Sequence, residues 1–407
     1  MTNADVELRI PKVDAQNPEI SIVIPTLNEK INIAEFISWV KTGLAELPVS
    51  GEILIVDSST DETAEIALEL GARVLKVPKR GLGRAYIDSI PHIRGKYVVM
   101  GDADCTYDFR ELKPFYDAFM SGATYVMGSR YKGSIEKGAM PFHHQYLGTP
   151  ITTWILNRIF GSKFSDIHCG MRALTLNLFK DMGLKSQSWE YASELVIKSV
   201  KLDANIKEVP VKFYKDRNGR ESHHKREGWL SPFKAAWINL RAMFVYGADA
   251  FLIKPGGILT AVGSLLTVSI TFGPVTIGQF ELSLFWQMLG AFVFATGINF
   301  LFIGLNIRQL IISPRKRFKF TEKLFEYNSA VLISVALFVC GVSMLLPLLE
   351  KYLSEGFKLN DSSVWQQHFA ITGLSMTVFG ATYFVNVLIQ HSLSLFLKDE
   401  NGKHETR

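Results

Sequence analysis

Residues 20–25 read ISIVIP, a short and mostly apolar run that decides how the N-terminal half of the chain folds. A second run, EILIVD at residues 52–57, follows after the amphipathic segment Ile31–Leu47. Short apolar runs that alternate with helical patterns are typical of parallel strands covered by helices. The series continues with strands at Arg73–Val77 and Tyr97–Met100 and a helix at Thr63–Leu70. We therefore predict an α/β fold, with a mostly parallel sheet and helices on both faces.

Polar side chains follow three of these predicted strands. They are Thr26, Asn28 and Glu29 after the first, Asp57–Asp61 after the second, and Asp102 and Asp104 after the fourth. In open parallel sheets, ligands bind at the carboxyl ends of the strands. The segment Asp57–Thr63 alone could be an ordinary helix cap. Three polar clusters at three strand ends instead predict a binding site.

Asp102 and Asp104 are the sharpest of these features. Two carboxylates separated by one residue at a strand end can both reach one divalent cation. A Mg²⁺ ion held in this way keeps water ligands and also binds substrate phosphates. It neutralises the charge that develops on a departing diphosphate. The pair therefore predicts a Mg²⁺ or Mn²⁺ site for a phosphate-bearing substrate.

The C-terminal half contains four long stretches without charged residues. They are Pro255–Phe280, Leu282–Ile307, Tyr327–Leu349 and Ser362–Leu397. Each is longer than the roughly 20 residues that an α-helix needs to cross a bilayer. One such stretch could be a buried helix of a large soluble protein, but four in succession favour membrane spans. We predict a four-helix transmembrane domain over residues 255–397.

The charges of the connecting segments predict the orientation. The loop after the second span is strongly basic, with Arg308, Arg315, Lys316, Arg317, Lys319 and Lys323. The loop after the first span offers only Glu281. Basic loops stay in the cytoplasm, and residues 1–20 lack the apolar core of a secretion signal. We expect an integral protein of the cytoplasmic (inner) membrane, with the N-terminal half and the 398–407 tail both cytoplasmic.

An aromatic-rich segment, residues 228–254, joins the two halves. It carries Lys234 and Arg241 seven residues apart, hence on one helical face, together with Trp229, Phe233, Trp237, Phe244 and Tyr246. Such a helix suits the membrane interface, although an ordinary packing helix of the soluble domain would look similar. The predicted organisation is a tail at 1–19, a soluble domain at 20–227, this interfacial region, the membrane domain and a second tail.

Composition gives no support for several other classes of protein. The net charge of +5 is too modest to indicate a nucleic-acid binder. The three cysteines, Cys105, Cys169 and Cys340, lack the spacing of a disulfide framework or a zinc site.

Four motifs together resemble the inverting family 2 glycosyltransferases of the GT-A fold. They are Ile24–Glu29 (IPTLNE), Val56–Thr63 (VDSSTDET), Gly81–Ala85 (GLGRA) and Asp102–Asp104 (DAD). Three later motifs resemble the polyprenyl-phosphate branch, which includes dolichol-phosphate mannose synthase and bacterial undecaprenyl-phosphate glycosyltransferases. These are Gly128–Tyr131 (GSRY), Ser165–Arg172 (SDIHCGMR) and Val209–Val211 continued by Arg217, Gly219 and Ser222. The resemblance covers residues 20–225.

The resemblance implies roles for individual positions. A nucleotide-sugar donor would be bound by Pro25, Asn28, Glu29, Asp57, Lys79, Gly81, Arg84, Asp102 and Ala103. Asp102 and Asp104 would hold the metal, with Asp104 as the main ligand. Asp166 and Arg130 would lie at the reacting centre, and Arg172 and Glu194 would shape the site. Mannose synthases tend to have Leu-Gln directly after the acidic triplet, where this chain has Cys105-Thr106, which leaves a third metal ligand open.

The chemistry of a lipid-phosphate acceptor narrows these roles. A phosphate monoester is already ionised near neutral pH, with a second pKa of ~6, so it needs no general base. Asp166 can therefore serve either as a base or to position other groups. The negative acceptor calls for cations, which are supplied by Arg130, Arg172, Arg217, Arg220 and Lys225. The last three could instead be a solvated basic face beside anionic lipid.

We therefore predict an inverting enzyme that moves a hexose from a UDP- or GDP-sugar to undecaprenyl or dolichyl phosphate for glycan assembly. One alternative is a processive polysaccharide synthase, but the Gln-x-x-Arg-Trp element of those enzymes is absent from the sequence. Another is a lipid-carrier transporter or scaffold with an inactive domain, which the intact acidic pair disfavours. The resemblance also implies a homotetramer. Small residues on the second span, among them Gly290, Gly297 and Gly304, suit close helix packing.

Overall fold

A computed structural model describes residues 6–216, 237, 240–241, 243–311, 325–359 and 364–405 of the protein. The chain divides between Tyr246 and Gly247 into two units. This division falls within the predicted interfacial region 228–254, of which residues 228–236, 238–239 and 242 lie outside the described ranges.

The first unit alternates strands and helices, as predicted. Its elements are β1 (Glu7–Arg9), β2 (Ile20–Thr26), α1 (Ile33–Ala45), β3 (Gly51–Asp57), α2 (Thr63–Glu69), β4 (Arg73–Lys76), α3 (Leu82–Ser89), β5 (Tyr97–Met100), α4 (Lys113–Met120), β6 (Tyr125–Ile135), α5 (Thr149–Phe160), β7 (Arg172–Thr175), α6 (Leu176–Asp181), α7 (Tyr191–Lys201) and β8 (Ile206–Phe213). The predicted strand bounds agree with the observed ones to within a residue or two.

These strands form one eight-stranded sheet in the order β1-β4-β3-β2-β5-β7-β6-β8. The central strands β4, β3, β2 and β5 are parallel, and β6 pairs with β8 in the same sense. Strand β7 runs antiparallel to both of its neighbours. The α/β fold with a mostly parallel sheet is thereby confirmed. Val23 and Ile24 are neighbours on β2 whose side chains point to opposite faces of the sheet, and both are fully buried, as expected for central strands that are covered on both faces.

Strand register brings the predicted polar clusters to one edge of the sheet. Thr26, the last residue of β2, pairs with Asp57, the last residue of β3. Met100, at the end of β5, pairs with Arg172, at the start of the antiparallel β7. The loop that follows β5 and the loop that precedes β7 therefore leave the sheet at the same edge.

The second unit contains four helices that are long and apolar enough to cross a membrane. They cover Asp249–Ser269, Leu284–Leu310, Tyr327–Ser354 and Val364–Leu393. The corresponding α-helices are α8 (Lys254–Ser269), α9 (Leu284–Ile311), α10 (Tyr327–Ser354) and α11 (Val364–Glu405). The predicted set of four membrane helices is confirmed, and the protein is a membrane protein.

The first span ends earlier than its uncharged run. Helix α8 stops at Ser269, and residues 275–277 and 280–282 form a small antiparallel hairpin, β9 and β10. Gly273 and Gly278 adopt positive φ angles of 136° and 65°, and Pro274 follows Gly273 directly. Glycine and proline in this combination end a helix. The uncharged run Pro255–Phe280 therefore marked the apolar stretch correctly, but it did not show that the helix ends at Ser269.

Small and polar residues hold the membrane helices together within this unit. Gly297 permits close contact between α9 and α8, since a β-carbon there would lie 2.4 Å from the Thr260 nitrogen. Gln287 is fully buried, and its Nε2 donates to the His368 carbonyl at 2.9 Å. His368 Nδ1 lies 2.6 Å from Gln287 Oε1. The second span is thus joined to the first by backbone proximity and to the fourth by hydrogen bonds.

Candidate active site

Asp57 organises the edge formed by β2 and β3. Its carboxylate accepts hydrogen bonds from the Thr26 hydroxyl (2.7 Å), the Ser59 hydroxyl (2.6 Å) and Lys76 Nζ (2.8 Å). The side chain is fully buried. The resemblance implied a contact between Asp57 and the donor nucleotide. In this structure Asp57 holds the two strand ends in place, and a nucleotide contact would have to displace one of these donors.

Asn28 lies in the turn that follows β2, at the same edge of the sheet. It is exposed and adopts a left-handed φ of 55°, a conformation that asparagine tolerates better than most residues. Its backbone N–H donates to the Ser59 hydroxyl at 2.7 Å, and its Oδ1 accepts from the Thr60 N–H at 2.9 Å. Glu29 is buried beside it, whereas Pro25 is partly exposed. The turn after β2 is therefore fastened to the turn after β3.

The glycine-bearing loop at residues 79–84 packs against a second loop, residues 186–188. Gly81 has a φ of 111°, and a β-carbon there would lie 2.4 Å from the Gln187 carbonyl oxygen. The Arg84 N–H donates to that same oxygen at 3.0 Å, and the Arg84 side chain pairs with Asp88 at 2.8 Å. Lys79 is exposed. Only glycine fits at position 81, because both its φ and its contact exclude a side chain.

Asp102 and Asp104 occupy the loop after β5, and both are partly buried. Asp104 Oδ1 accepts hydrogen bonds from the Thr106 N–H at 3.0 Å and from the Thr106 hydroxyl at 2.6 Å. Asp102 Oδ2 lies next to Gly170, at 2.7 Å from the position of a β-carbon on that glycine. Ala103, between the two acids, is buried. The acidic pair is thus held by Thr106 on one side and bordered by Gly170 on the other.

The acidic pair suits a divalent cation that is shared with a substrate. Two carboxylates supply hard oxygen ligands of the kind that Mg²⁺ and Mn²⁺ prefer. Within the described ranges, no group of three or more His, Cys, Asp or Glu side chains is arranged to hold a metal ion. The pair on its own would leave most of the coordination sphere to water and phosphate oxygens, as Mg²⁺ commonly requires at phosphoryl sites.

Arg130 on β6 and Asp166 form a buried, bidentate ion pair. Arg130 Nε lies 2.7 Å from Asp166 Oδ2, and Nη2 lies 2.9 Å from Oδ1. The Arg130 guanidinium also lies over the Phe213 ring, 5.3 Å from its centroid. Although burial alone would raise the pKa of Asp166, the hydrogen bonds and charge of Arg130 lower that pKa below its usual value. Asp166 is therefore ionised near neutral pH and has little tendency to take up a proton.

His168 lies beside this pair on the same loop. Its backbone N–H donates to Asp166 Oδ1 at 3.2 Å, and its Nε2 lies 2.8 Å from the Thr152 hydroxyl. Burial and the positive charge of Arg130 lower the pKa of His168 to about 4. His168 is consequently neutral near neutral pH.

Arg172 and Glu194 are both buried, and both form hydrogen bonds to backbone groups. Arg172 donates to the carbonyl oxygens of Cys169 (2.5 Å) and Ala192 (3.1 Å). Glu194 accepts from the N–H groups of Lys185 and Ser186. These contacts favour a positioning role for Arg172 over the predicted phosphate contact, because the described donors of its guanidinium are directed at backbone carbonyls.

The remaining predicted phosphate ligands, Arg217, Arg220 and Lys225, lie outside the described residues.

The loop of residues 165–171 links the parts of the site. Gly170 borders Asp102, while Asp166 holds Arg130. The Tyr107 hydroxyl, from the acidic loop, accepts a hydrogen bond from the Gly170 N–H at 2.8 Å. No sequence feature assigned a role to Tyr107 or to the loop at residues 186–188, since nothing in their local pattern indicates which loops they contact.

Part of the chain matches a known protein family. The family described as Glycosyl transferase family 2 matches residues 21–183.

Several named proteins are similar in sequence. The chain is 35% identical over 335 residues to the low-salt glycan biosynthesis hexosyltransferase Agl6 of Haloferax volcanii, covering 80% of this chain and 78% of that protein. It is 31% identical over 206 residues to a dolichyl-phosphate hexose transferase of the same organism, covering 49% and 85% respectively. It is 27% identical over 204 residues to a dolichol-phosphate mannosyltransferase of Pyrococcus furiosus, covering 48% and 56%.

Solved structures are more distant. The mannosyl-3-phosphoglycerate synthase of Rubrobacter xylanophilus is 20% identical, covers 55% of this chain and 72% of its own, and has a TM-score of 0.43. The glucosyl-3-phosphoglycerate synthase of Mycobacterium tuberculosis is 21% identical, covers 56% and 80%, and also has a TM-score of 0.43.

Proposed function

Because the chain belongs to glycosyl transferase family 2 and is a glycosyltransferase, we propose that it moves a hexose from a UDP- or GDP-sugar to polyprenyl phosphate at the cytoplasmic face of the membrane. The similarity to proteins named as dolichyl-phosphate hexose and mannosyl transferases supports this acceptor class. The four apolar helices support a substrate that resides in the bilayer.

The state of Asp166 carries the proposal. This carboxylate is locked in a bidentate pair with Arg130, which lowers its pKa and makes it a poor proton acceptor. A hydroxyl acceptor needs a base to remove its proton, whereas a phosphate monoester is already ionised. A site that offers a guanidinium held by a carboxylate therefore suits a phosphate acceptor better than a sugar hydroxyl.

In the proposed reaction, a phosphate oxygen of the acceptor attacks the anomeric carbon of the donor sugar. The new bond joins that carbon to the acceptor oxygen. The bond to the donor diphosphate breaks, and its electron pair leaves with the nucleoside diphosphate. Arg130 contacts the acceptor phosphate, and Asp166 holds the guanidinium in place. By family resemblance, the attack inverts the anomeric configuration.

The donor would lie over the edge that Asn28, Glu29 and Asp57 build, with its diphosphate beside the loop of Lys79, Gly81 and Arg84. Asp102 and Asp104 would hold Mg²⁺ or Mn²⁺, and that ion would neutralise the charge on the departing diphosphate. Thr106 restrains Asp104 through two hydrogen bonds, so the carboxylate is oriented before substrate binds.

A direct transfer assay tests the proposal. Purified full-length protein in nanodiscs would receive labelled UDP-glucose, GDP-mannose or UDP-N-acetylhexosamine, together with undecaprenyl or dolichyl phosphate. We expect one donor to yield label in an organic-soluble lipid that carries a single sugar. Label that stays in water with every donor, or enters a long polymer, would overturn the proposal.

Orientation and assembly are proposed separately. We place both termini and the catalytic unit in the cytoplasm, which protease protection in sealed vesicles can check. The homotetramer implied by the family resemblance stays a prediction, to be checked by native mass measurement in nanodiscs.

A further inference from the structure

An exposed apolar stripe on the first unit takes no part in the site described above. It lies on residues 141–160, which comprise a π-helical turn at His144–Gly148 and helix α5. Its five members have exposed fractions of 53–74% and are Phe142, Tyr146, Leu147, Ile151 and Trp154. Their spacing, mainly three or four residues, places them along one side of the segment. Contiguous exposed apolar surface of this kind marks an interaction site.

The charges around the stripe favour a lipid surface as its partner. No Asp or Glu occurs from Lys137 to Ser165, whereas this stretch carries Arg158 and Lys163 as well as Lys137. Aromatic and aliphatic side chains flanked by cations are characteristic of helices that lie in the headgroup region of anionic bilayers. Trp and Tyr in particular favour that region because their rings are amphipathic.

The other side of the segment is fastened to the proposed acceptor site. The Thr152 hydroxyl lies 2.8 Å from His168 Nε2, and the His168 N–H donates to Asp166. Tyr131 directly follows Arg130 in the sequence, and its hydroxyl donates to the Gln145 carbonyl at 2.6 Å. The segment therefore contacts Tyr131, which follows Arg130 on β6, and His168, which bonds Asp166.

We propose that residues 141–160 form a membrane-contacting element, separate from residues 228–254, that seats its apolar stripe in the headgroup region. Through the contacts of Gln145 with Tyr131 and of Thr152 with His168, this element positions the Arg130–Asp166 pair at the depth of the phosphate group of a lipid in the bilayer. The second part rests on the proposed function, whereas the first part stands on the stripe and its charges alone.

Site-directed spin labelling tests the membrane contact without any activity readout. Cys340 is exposed, whereas Cys105 and Cys169 are buried, so the background would be Cys340→Ala in the full chain. A nitroxide at Ile151→Cys would be compared with one at Met120→Cys, which is 51% exposed at the end of α4. In vesicles with anionic lipid, we expect the label at 151 to collide about fivefold less often with a water-soluble nickel complex than the label at 120, and more often with oxygen.

Two results would overturn the membrane contact. One is equal collision with the nickel complex at both positions. The other is spin–spin broadening at 151, which would instead indicate contact with a second copy of the chain.

Steady-state kinetics test the coupling to the acceptor. The double variant Ile151→Asn with Trp154→Gln should raise KM for a bilayer-borne polyprenyl phosphate roughly tenfold and leave kcat nearly unchanged. Its kcat/KM for a short-chain prenyl phosphate in detergent should match that of the parent. Met120→Gln is the matched control, with both values unaltered. An equal loss with both acceptors would contradict the coupling. A parent enzyme inactive toward every lipid phosphate would defeat the proposed function and, with it, the coupling, while the spin-label result would stand.

Discussion

Gly170 lies directly against Asp102: a β-carbon at Gly170 would stand 2.7 Å from Asp102 Oδ2 and 2.8 Å from the Tyr107 ring. Position 170 thus sets the space available to one carboxylate of the acidic pair. The chain reaches this arrangement because the loop before β7 and the loop after β5 leave the sheet at the same edge.

Gly170→Ala should therefore displace the Asp102 carboxylate. A displacement of about 1 Å at a reacting centre can lower activity by about a hundredfold. We expect a loss of that order in kcat/KM for the nucleotide-sugar, together with weaker Mn²⁺ binding measured by calorimetry. Gly257→Ala is the control, since a β-carbon there meets nothing within 4 Å. Wild-type Mn²⁺ affinity in the Gly170 variant would contradict this account.

Removal of the negative charges of the acidic pair should abolish transfer. Asp102→Asn with Asp104→Asn keeps the side-chain shapes but loses the charge that would bind a divalent cation. We expect the rate to fall by roughly a thousandfold or more, with membrane insertion unchanged. The surface change Asp117→Asn provides the matched carboxylate-to-amide control, because Asp117 is exposed on α4. Unaltered turnover in the double variant would refute the catalytic assignment.

The Arg130–Asp166 pair should respond differently to single and double substitution. Arg130→Met alone leaves a buried carboxylate without its partner, which typically costs about 3–5 kcal/mol of stability. Arg130→Met combined with Asp166→Asn removes both charges, keeps a side-chain oxygen that can accept from the His168 N–H, and should recover most of that stability. Transfer activity should stay absent in the double variant, because the guanidinium for the acceptor phosphate is gone. Denaturant titration and the lipid assay measure the two effects, and recovered activity would show that the pair is only structural.

The lowered pKa of His168 should make the first unit less stable in mild acid than near neutral pH. Its pKa is lowered to about 4 in the folded protein, from an ordinary value of 6.5. The unfolded chain therefore binds a proton as the pH falls below about 6.5, while the folded chain does not until about pH 4. The contribution of His168 to stability should be fully present above pH 6.5 and should decline toward pH 4. His168→Gln should flatten the decline between pH 6.5 and 5, as followed by chemical denaturation in detergent; an unchanged slope would argue against this contribution.

Gln287 should stabilise the membrane unit. Its amide joins α9 to the His368 carbonyl on α11 at 2.9 Å and to the Thr267 carbonyl on α8 at 3.3 Å. Gln287→Leu should cost about 1 kcal/mol, as is usual for hydrogen bonds between membrane helices. Asn299→Leu is the control, because Asn299 is exposed and bonds only its own helix at Ala295 among the described contacts. Equal thermal stability of the two variants would contradict the role of Gln287.

The local sequence determined where the strands and membrane helices lie and which residue types the candidate site contains. The runs at residues 20–25 and 52–57 predicted β2 and β3 nearly to the residue, because apolar periodicity is a property of neighbouring positions. The four uncharged stretches predicted the membrane helices for the same reason, although glycine and proline near Gly273 ended the first one early. The acidic pair and Arg130 were also recognisable as reactive residue types in family-like motifs.

Only the tertiary structure decided which of these residues meet. Arg130 and Asp166 are 36 positions apart, and their ion pair depends on the loop before β7 folding back beside β6. The burial of Asp57 and Arg172 follows in the same way from strand order and register, which local patterns do not encode. Side-chain partners depend on neighbours in space, whereas propensity and periodicity depend on neighbours in the chain. The sequence by itself therefore named the candidate site residues, and the fold decided which of them are exposed at the edge of the sheet and which are buried.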